Sequence, residues 1–208
     1  MLSPAATLRA PLRYPALTMP TAYQFWLFVH ILGVFALAGA ATTFIVCLSM
    51  MRRAKTAQEL RPWADVAFAV EKAVTVAGLV VLGTGIYMAS DHDLWELGWV
   101  NWSSTALVLG ILLWVVVNTR KSAAIRRAAR DAADGPVPDV LAAQVTDPIL
   151  FGATHAVTTV VLGIIWNMTT KPGDTQALIV LIVAALVGAA SAAPMVARQQ
   201  RAFERAGR

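Results

Sequence analysis

Of the chain's 208 residues, 58% are hydrophobic and only 14% charged, whereas a water-soluble domain of this size carries about 25% charged residues. That excludes an ordinary soluble globule. The net charge of +5 does not mark a nucleic-acid reader, because the basic residues sit between long apolar runs instead of forming a basic surface. The lone Cys47 excludes an intramolecular disulfide and a cysteine-cluster metal site.

Residues 1–22 carry Pro4, Pro11, Pro15 and Pro20 and no apolar core of signal-peptide length. They are expected to be a disordered proline-rich tail, with Met19 a candidate start. An apolar run from Tyr23 to Met50 follows, longer than the roughly 20 residues that cross a 30 Å hydrocarbon core. Tyr23 and Trp26 suit an interfacial aromatic belt at its entry, and Arg52, Arg53 and Lys55 close it.

The second span is expected over residues 66–90, with Glu71 and Lys72 at headgroup level as a snorkelling pair. A short acidic connection leads to the third span, residues 99–118. The connection 119–147 holds Arg120, Lys121, Arg126, Arg127 and Arg130, then a Gly135-Pro136-Val137-Pro138 breaker. Its first half has helical composition and extends the third helix. Pro148 suits the first turn of a fourth span, 148–168. A turn at 170–174 precedes the fifth, 176–197, where Pro194 kinks or ends the helix. Residues 198–208 form a basic tail.

The fold class is therefore all-α, a polytopic transmembrane bundle of about five helices. Five spans place four basic residues of the first loop, five of the third and four of the tail on one side, against Arg9, Arg13 and Lys171 on the other. By the positive-inside rule the basic side is cytoplasmic, with the N-terminus outside and the C-terminus inside.

Helices associate in lipid through small residues and interhelical polar groups. His30, Gly33, Ala36, Ala40, Thr43 and Cys47 lie at three- and four-residue steps on the first helix, Glu71, Thr75, Gly78 and Gly85 on the second, and Gly152, His155, Thr159 and Gly163 on the fourth. These stripes predict a bundle with His30, Glu71 and His155 facing inward.

Ionisable residues inside a span are candidate functional sites, since each costs a few kcal/mol at mid-bilayer. His30 and His155 lie in opposite leaflets, roughly 10 Å apart in depth, which disfavours one haem iron gripped by both. Each is a candidate for single-histidine cofactor binding or a proton relay, against the plainer role of a hydrogen bond to a neighbouring helix. Glu71 is a candidate acceptor for His155. Asp91-His92-Asp93 reads as a solvated loop, and Cys47, Met50 and Met51 as packing residues more readily than soft metal ligands. No metal site and no hydrolytic motif stands out.

Phe25-Trp26-Leu27-Phe28-Val29-His30-Ile31-Leu32-Gly33, Leu82-Gly83-Thr84-Gly85-Ile86-Tyr87-Met88 and Trp166-Asn167-Met168-Thr169-Thr170-Lys171-Pro172-Gly173 resemble a bacterial family of predicted integral membrane proteins of unknown function. Such proteins have a first-helix His-x-x-Gly and leave the fourth helix as Met-x-x-Lys-Pro. The likeness spans Tyr23 to Pro172 and implies a multi-pass protein of the bacterial cytoplasmic membrane. The first-helix motif is also distantly similar to copper-resistance D-type and HemJ-type membrane proteins, which implies a functional His30 and haem as a candidate cofactor.

Three functions compete: a haem-binding, redox or proton-linked protein acting through His30; a permeation or export component with His30, His155 and Glu71 along its path; and a structural or assembly subunit. The expected partners are the lipid bilayer, a second copy of the chain or other membrane proteins, and no nucleic acid.

Overall fold

The computed structural model describes residues 21–194 and residue 197. The expected N-terminal tail, up to residue 20, and the basic tail, residues 198–208, lie outside the described residues. The described part is helical, and its one β element is an isolated Thr56–Pro136 bridge. The helices are α1 (Ala22–Met51), α2 (Ala57–Asp91), α3 (Gly98–Leu113), α4 (Arg120–Asp131), α5 (Asp139–Val145), α6 (Pro148–Thr170) and α7 (Asp174–Ala190), with a π-turn, Trp114–Thr119, joining α3 to α4. Four continuous helical stretches are long and apolar enough to cross a membrane, and α7 is a shorter apolar helix of 17 residues.

Three of the helices, α1, α2 and α6, start at a side-chain cap supplied by the sequence. Thr21 and Gln24 form a reciprocal capping box on α1. The Glu59 amide donates to Thr56 Oγ1 at 3.3 Å on α2, nine residues earlier than the apolar run suggests, because the first turns of α2 are amphipathic and pack on α4. Asp147 accepts the Ile149 amide at 2.7 Å, and Pro148 opens α6 as expected.

α7 ends at Ala190, and after a turn at residues 191–192 the chain is helical again at residues 193, 194 and 197. Pro194 has no N–H to offer the carbonyl of Ala190 four residues back, so the two stretches are interrupted there. As expected, the first half of the 119–147 connection continues the third helix, as α4; the short helix α5, which buries Leu141 and Val145, is an addition to that reading.

At this basic end of the bundle the charges are matched. The Arg61 guanidinium donates to the carbonyls of Ala129 and Ala132 at 2.9 and 2.5 Å and to Asp134 at 2.7 Å, capping the C-terminus of α4. Arg126 and Arg130 converge on Asp65 at 2.6 and 2.9 Å, and Lys121 pairs with Asp147. The Ala57 amide donates to the Gly135 carbonyl at 2.9 Å, so the proline-rich breaker docks onto the start of α2. The opposite, acidic end carries Asp91, Asp93, Glu96 and Asp174 against Lys171 among the described residues.

The packing follows the small residues only in part. The buried stripe of α1 is Gly33, Leu37, Ala41, Phe44, Cys47, Leu48 and Met51, while Ala36 and Thr43 face outward. Thr43 spends its hydroxyl on the Gly39 carbonyl of its own helix, so it needs no interhelical partner. The α6–α7 contact obeys the small-residue rule closely. A Cβ on Gly188 would lie 2.5 Å from Ala156 Cα, and Thr159 donates to the Ala184 carbonyl at 2.6 Å across the seam.

Candidate functional site

Two polar clusters lie inside the bundle, one in each half. In the half nearer the acidic end, His30 Nδ1 is 2.9 Å from Thr84 Oγ1. That hydroxyl already donates to the Val80 carbonyl at 2.7 Å, so it accepts from His30. The proton therefore sits on Nδ1 and Nε2 keeps its lone pair. Gly85 lies beneath the ring, its Cβ position 3.4 Å from His30 Cε1, and Gly33 packs against Val81. Toward the surface, Trp26 meets Tyr87 at 5.3 Å and Tyr23 meets His92 at 4.3 Å between ring centroids. The α1–α2 seam is thus paired turn by turn.

The second cluster surrounds the π-turn. Glu71 is 2% exposed; the Thr119 hydroxyl donates to its Oε1, and Oε2 has no partner among the described residues. Asn118, fully buried, donates to Thr154 Oγ1 at 2.7 Å, leaving its own Oδ1 without a partner, as is the indole N–H of buried Trp114. Neighbouring residues on a regular α-helix point about 100° apart. The wider π-turn admits an extra residue, so Asn118 reaches α6 while the very next residue, Thr119, reaches α2.

Glu71 is therefore not the snorkelling partner of Lys72. The helix turns Glu71 into the bundle and leaves Lys72 exposed, its ammonium 4.5 Å from the Phe68 ring centroid. The expected hydrogen bond between Glu71 and His155 is also absent. His155 donates from Nδ1 to the Phe151 carbonyl at 2.9 Å and stacks on Phe151 at 3.9 Å, while Arg52 covers that ring at 4.5 Å. Burial first, and the Arg53 charge second, hold the Arg52 pKa below the usual guanidinium value, yet a guanidinium stays charged in proteins. His155 is half-buried at the α1–α6 junction, not in the π-turn cluster.

A third polar point was not legible as a site. Asn167 is fully buried and donates to the Ala177 carbonyl at 3.2 Å and to Ser103 Oγ at 3.4 Å. It ties α6 to α3 and to the first turn of α7. Lys171 then takes a left-handed conformation (φ 48°) to end α6, and Gly173 caps α7.

A model of the family described as Predicted integral membrane protein (DUF2269) matches residues 24–172. The chain belongs to this family. It is an integral membrane protein with several apolar helices, and as such it contacts the bilayer. No curated protein and no solved structure matches the chain. The matched region of this DUF2269 protein ends at the α6–α7 turn, so α7 lies beyond it although Asn167 binds α7 directly. Within the matched region, the His-x-x-Gly of α1 and the Thr-Gly of α2 form one contact: Thr84 Oγ1 accepts a hydrogen bond from His30 Nδ1, and Gly85 makes room for its ring.

The signal for Asn118 and Asn167 was an amide inside an apolar run. Which of the polar residues in such runs turns inward depends on helix phase and on the π-turn.

Among the described residues no three His, Cys, Asp or Glu side chains converge as metal ligands. Asp91 and Asp93 are exposed, and His92 is occupied by Tyr23. His30 Nε2 is a competent donor for haem iron, but its ring is pressed against α2, and the cavity of about 310 Å³ between α3, α6 and α7 is lined by neither histidine. The residues around His30 do not form a haem pocket.

Proposed function

We propose that this protein handles protons within the membrane, with Glu71 as the group that takes up and releases a proton and its basic end in the cytoplasm. The observation carrying the proposal is the state of Glu71: buried among apolar helices, bonded by a neutral hydroxyl, with no cation against it and one carboxyl oxygen without a partner. A glutamine would meet Thr119 equally well without the cost of placing an ionisable group in hydrocarbon. A carboxyl at this position is explained by its capacity to change charge.

The surroundings suit such a change. The π-turn supplies Thr119 as a hydroxyl that can donate to Glu71 or rotate away, and π-turns recur at functional sites. His30, in the other half, presents an unprotonated Nε2 and is the natural second station, held in one tautomer by Thr84. This reading favours proton-linked permeation over a purely structural subunit and assigns no role to haem.

The test is proton flux into proteoliposomes under an imposed potential, comparing wild type, Glu71→Gln and Thr84→Val. The proposal expects flux in the wild type, its loss in Glu71→Gln with the fold retained, and a reduction in Thr84→Val. Wild-type protein that is folded and moves no protons would leave the structural reading standing.

A further inference from the structure

We infer that the groove between α3, α6 and α7 is a binding site for one zwitterionic phospholipid, whose acyl chain lies in the groove and whose headgroup meets Lys171 and Asp174. This does not depend on the proton-handling role.

The groove exists because the three helices are fastened at separate points. At the acidic end α3 is clamped to α7: Trp102 donates from Nε1 to Asp174 Oδ1 at 2.7 Å, and Gly98 is packed directly against the Asp174 side chain. Toward the other end α7 leaves α3 and presses onto α6 at Gly188. Between the fastenings a groove of about 310 Å³ opens, lined among others by Trp102, Leu109, Gly110, Val160, Ile182 and Ala185. Leu109 and Ile182 are exposed, so it faces the hydrocarbon.

Three features identify the occupant. Of the lining side chains only Trp102 and Thr105 carry polar atoms, and the Trp102 N–H is already committed to Asp174, so the groove takes a hydrocarbon. Its volume lies at the lower limit of small-ligand sites and is too small to seat a helix about 10 Å across. At the acidic end of the groove Asp174 is held by the lining residue Trp102, and the Lys171 ammonium stands 6.0 Å from the ring centroid of Trp99, one turn before Trp102 on α3. A phosphate next to Lys171 with an ammonium next to Asp174 is the charge pattern of phosphatidylethanolamine. Asp91, Asp93 and Glu96 at the same end disfavour a net anionic lipid.

Native mass spectrometry of protein released from nanodiscs of equal phosphatidylethanolamine and phosphatidylglycerol tests this. The wild type is expected to retain one phosphatidylethanolamine. Ala185→Phe, which fills the groove from α7, should retain about tenfold less, and Gly110→Val serves as the second groove variant if that protein does not fold. Asp174→Asn, which can still accept from Trp102, should keep a lipid but lose the preference between headgroups. Equal retention by wild type and groove-filled variants, or equal retention of the two lipids by the wild type, would overturn the inference.

Discussion

His30 Nδ1 and Thr84 Oγ1 stand 2.9 Å apart across the α1–α2 seam, and the threonine hydroxyl donates its own hydrogen bond to the Val80 carbonyl. The pair therefore fixes the tautomer of a histidine inside the membrane. Thr84→Val keeps the shape but leaves the imidazole N–H without an acceptor, which should cost about 1–3 kcal/mol. Thr84→Ser should recover most of it. Unfolding in mixed detergent micelles measures both, and equal stability of valine and wild type would refute the assignment.

Gly188 governs the α6–α7 seam. A methyl group there meets the Ala156 backbone, which cannot yield as a flexible side chain would. Gly188→Ala should destabilise the bundle by about 3 kcal/mol or more and loosen α7. Gly39, whose Cβ position has open space, provides the control: Gly39→Ala should be neutral or slightly stabilising. Detergent-denaturation midpoints of the two variants would show whether the close approach is real.

Glu71→Gln and Glu71→Leu separate hydrogen bonding from charge. The glutamine can still accept from Thr119 and should leave stability within about 1 kcal/mol of wild type. The leucine removes the partner of the Thr119 hydroxyl, which can fall back on a carbonyl of its own helix, so its loss should be moderate, about 1 kcal/mol. A large loss in the glutamine variant, seen in the same denaturation assay, would mean that the carboxylate is structurally required.

Arg61 serves three acceptors with one planar fork. Lysine presents a single ammonium and cannot reach all three. Arg61→Lys should therefore fare nearly as badly as Arg61→Ala, each losing about 1–2 kcal/mol, and hydrogen exchange at the C-terminal turn of α4 should quicken in both. Exchange unchanged in the lysine variant would show that charge alone suffices.

Orientation is open to a direct check. In a Cys47→Ala background, Arg127→Cys at the basic end and Glu96→Cys at the acidic end both present exposed thiols. A membrane-impermeant maleimide added to intact cells should label position 96 and leave position 127 unlabelled until the membrane is broken. The reverse pattern would invert the proposed topology.

Much of this architecture was readable before any coordinates. Apolar length sets the number of helices that can cross a bilayer, because an unsatisfied backbone in hydrocarbon is costly enough to force helix formation. Pro148 opens α6 and Pro194 interrupts the last helix, both through local chemistry confined to a few residues. The inward face of His30 was expected from its spacing with Gly33; that it meets α2 was not. The early start of α2 and the helix α5 escaped because their amphipathic turns carry enough charge to read as loop.

The arrangement of the site belongs to tertiary structure. Sequence spacing leaves helix rotation uncertain by tens of degrees, and the π-turn at Trp114–Thr119 changes the phase between α3 and α4. There Asn118 meets Thr154 and Thr119 meets Glu71, while His155 turns to Phe151 on its own helix. The stripe of α2 turned Glu71 inward, and a step of one residue on the same helix turns Lys72 out; only the packing of α2 against the π-turn decided that the buried carboxyl meets Thr119 and not His155.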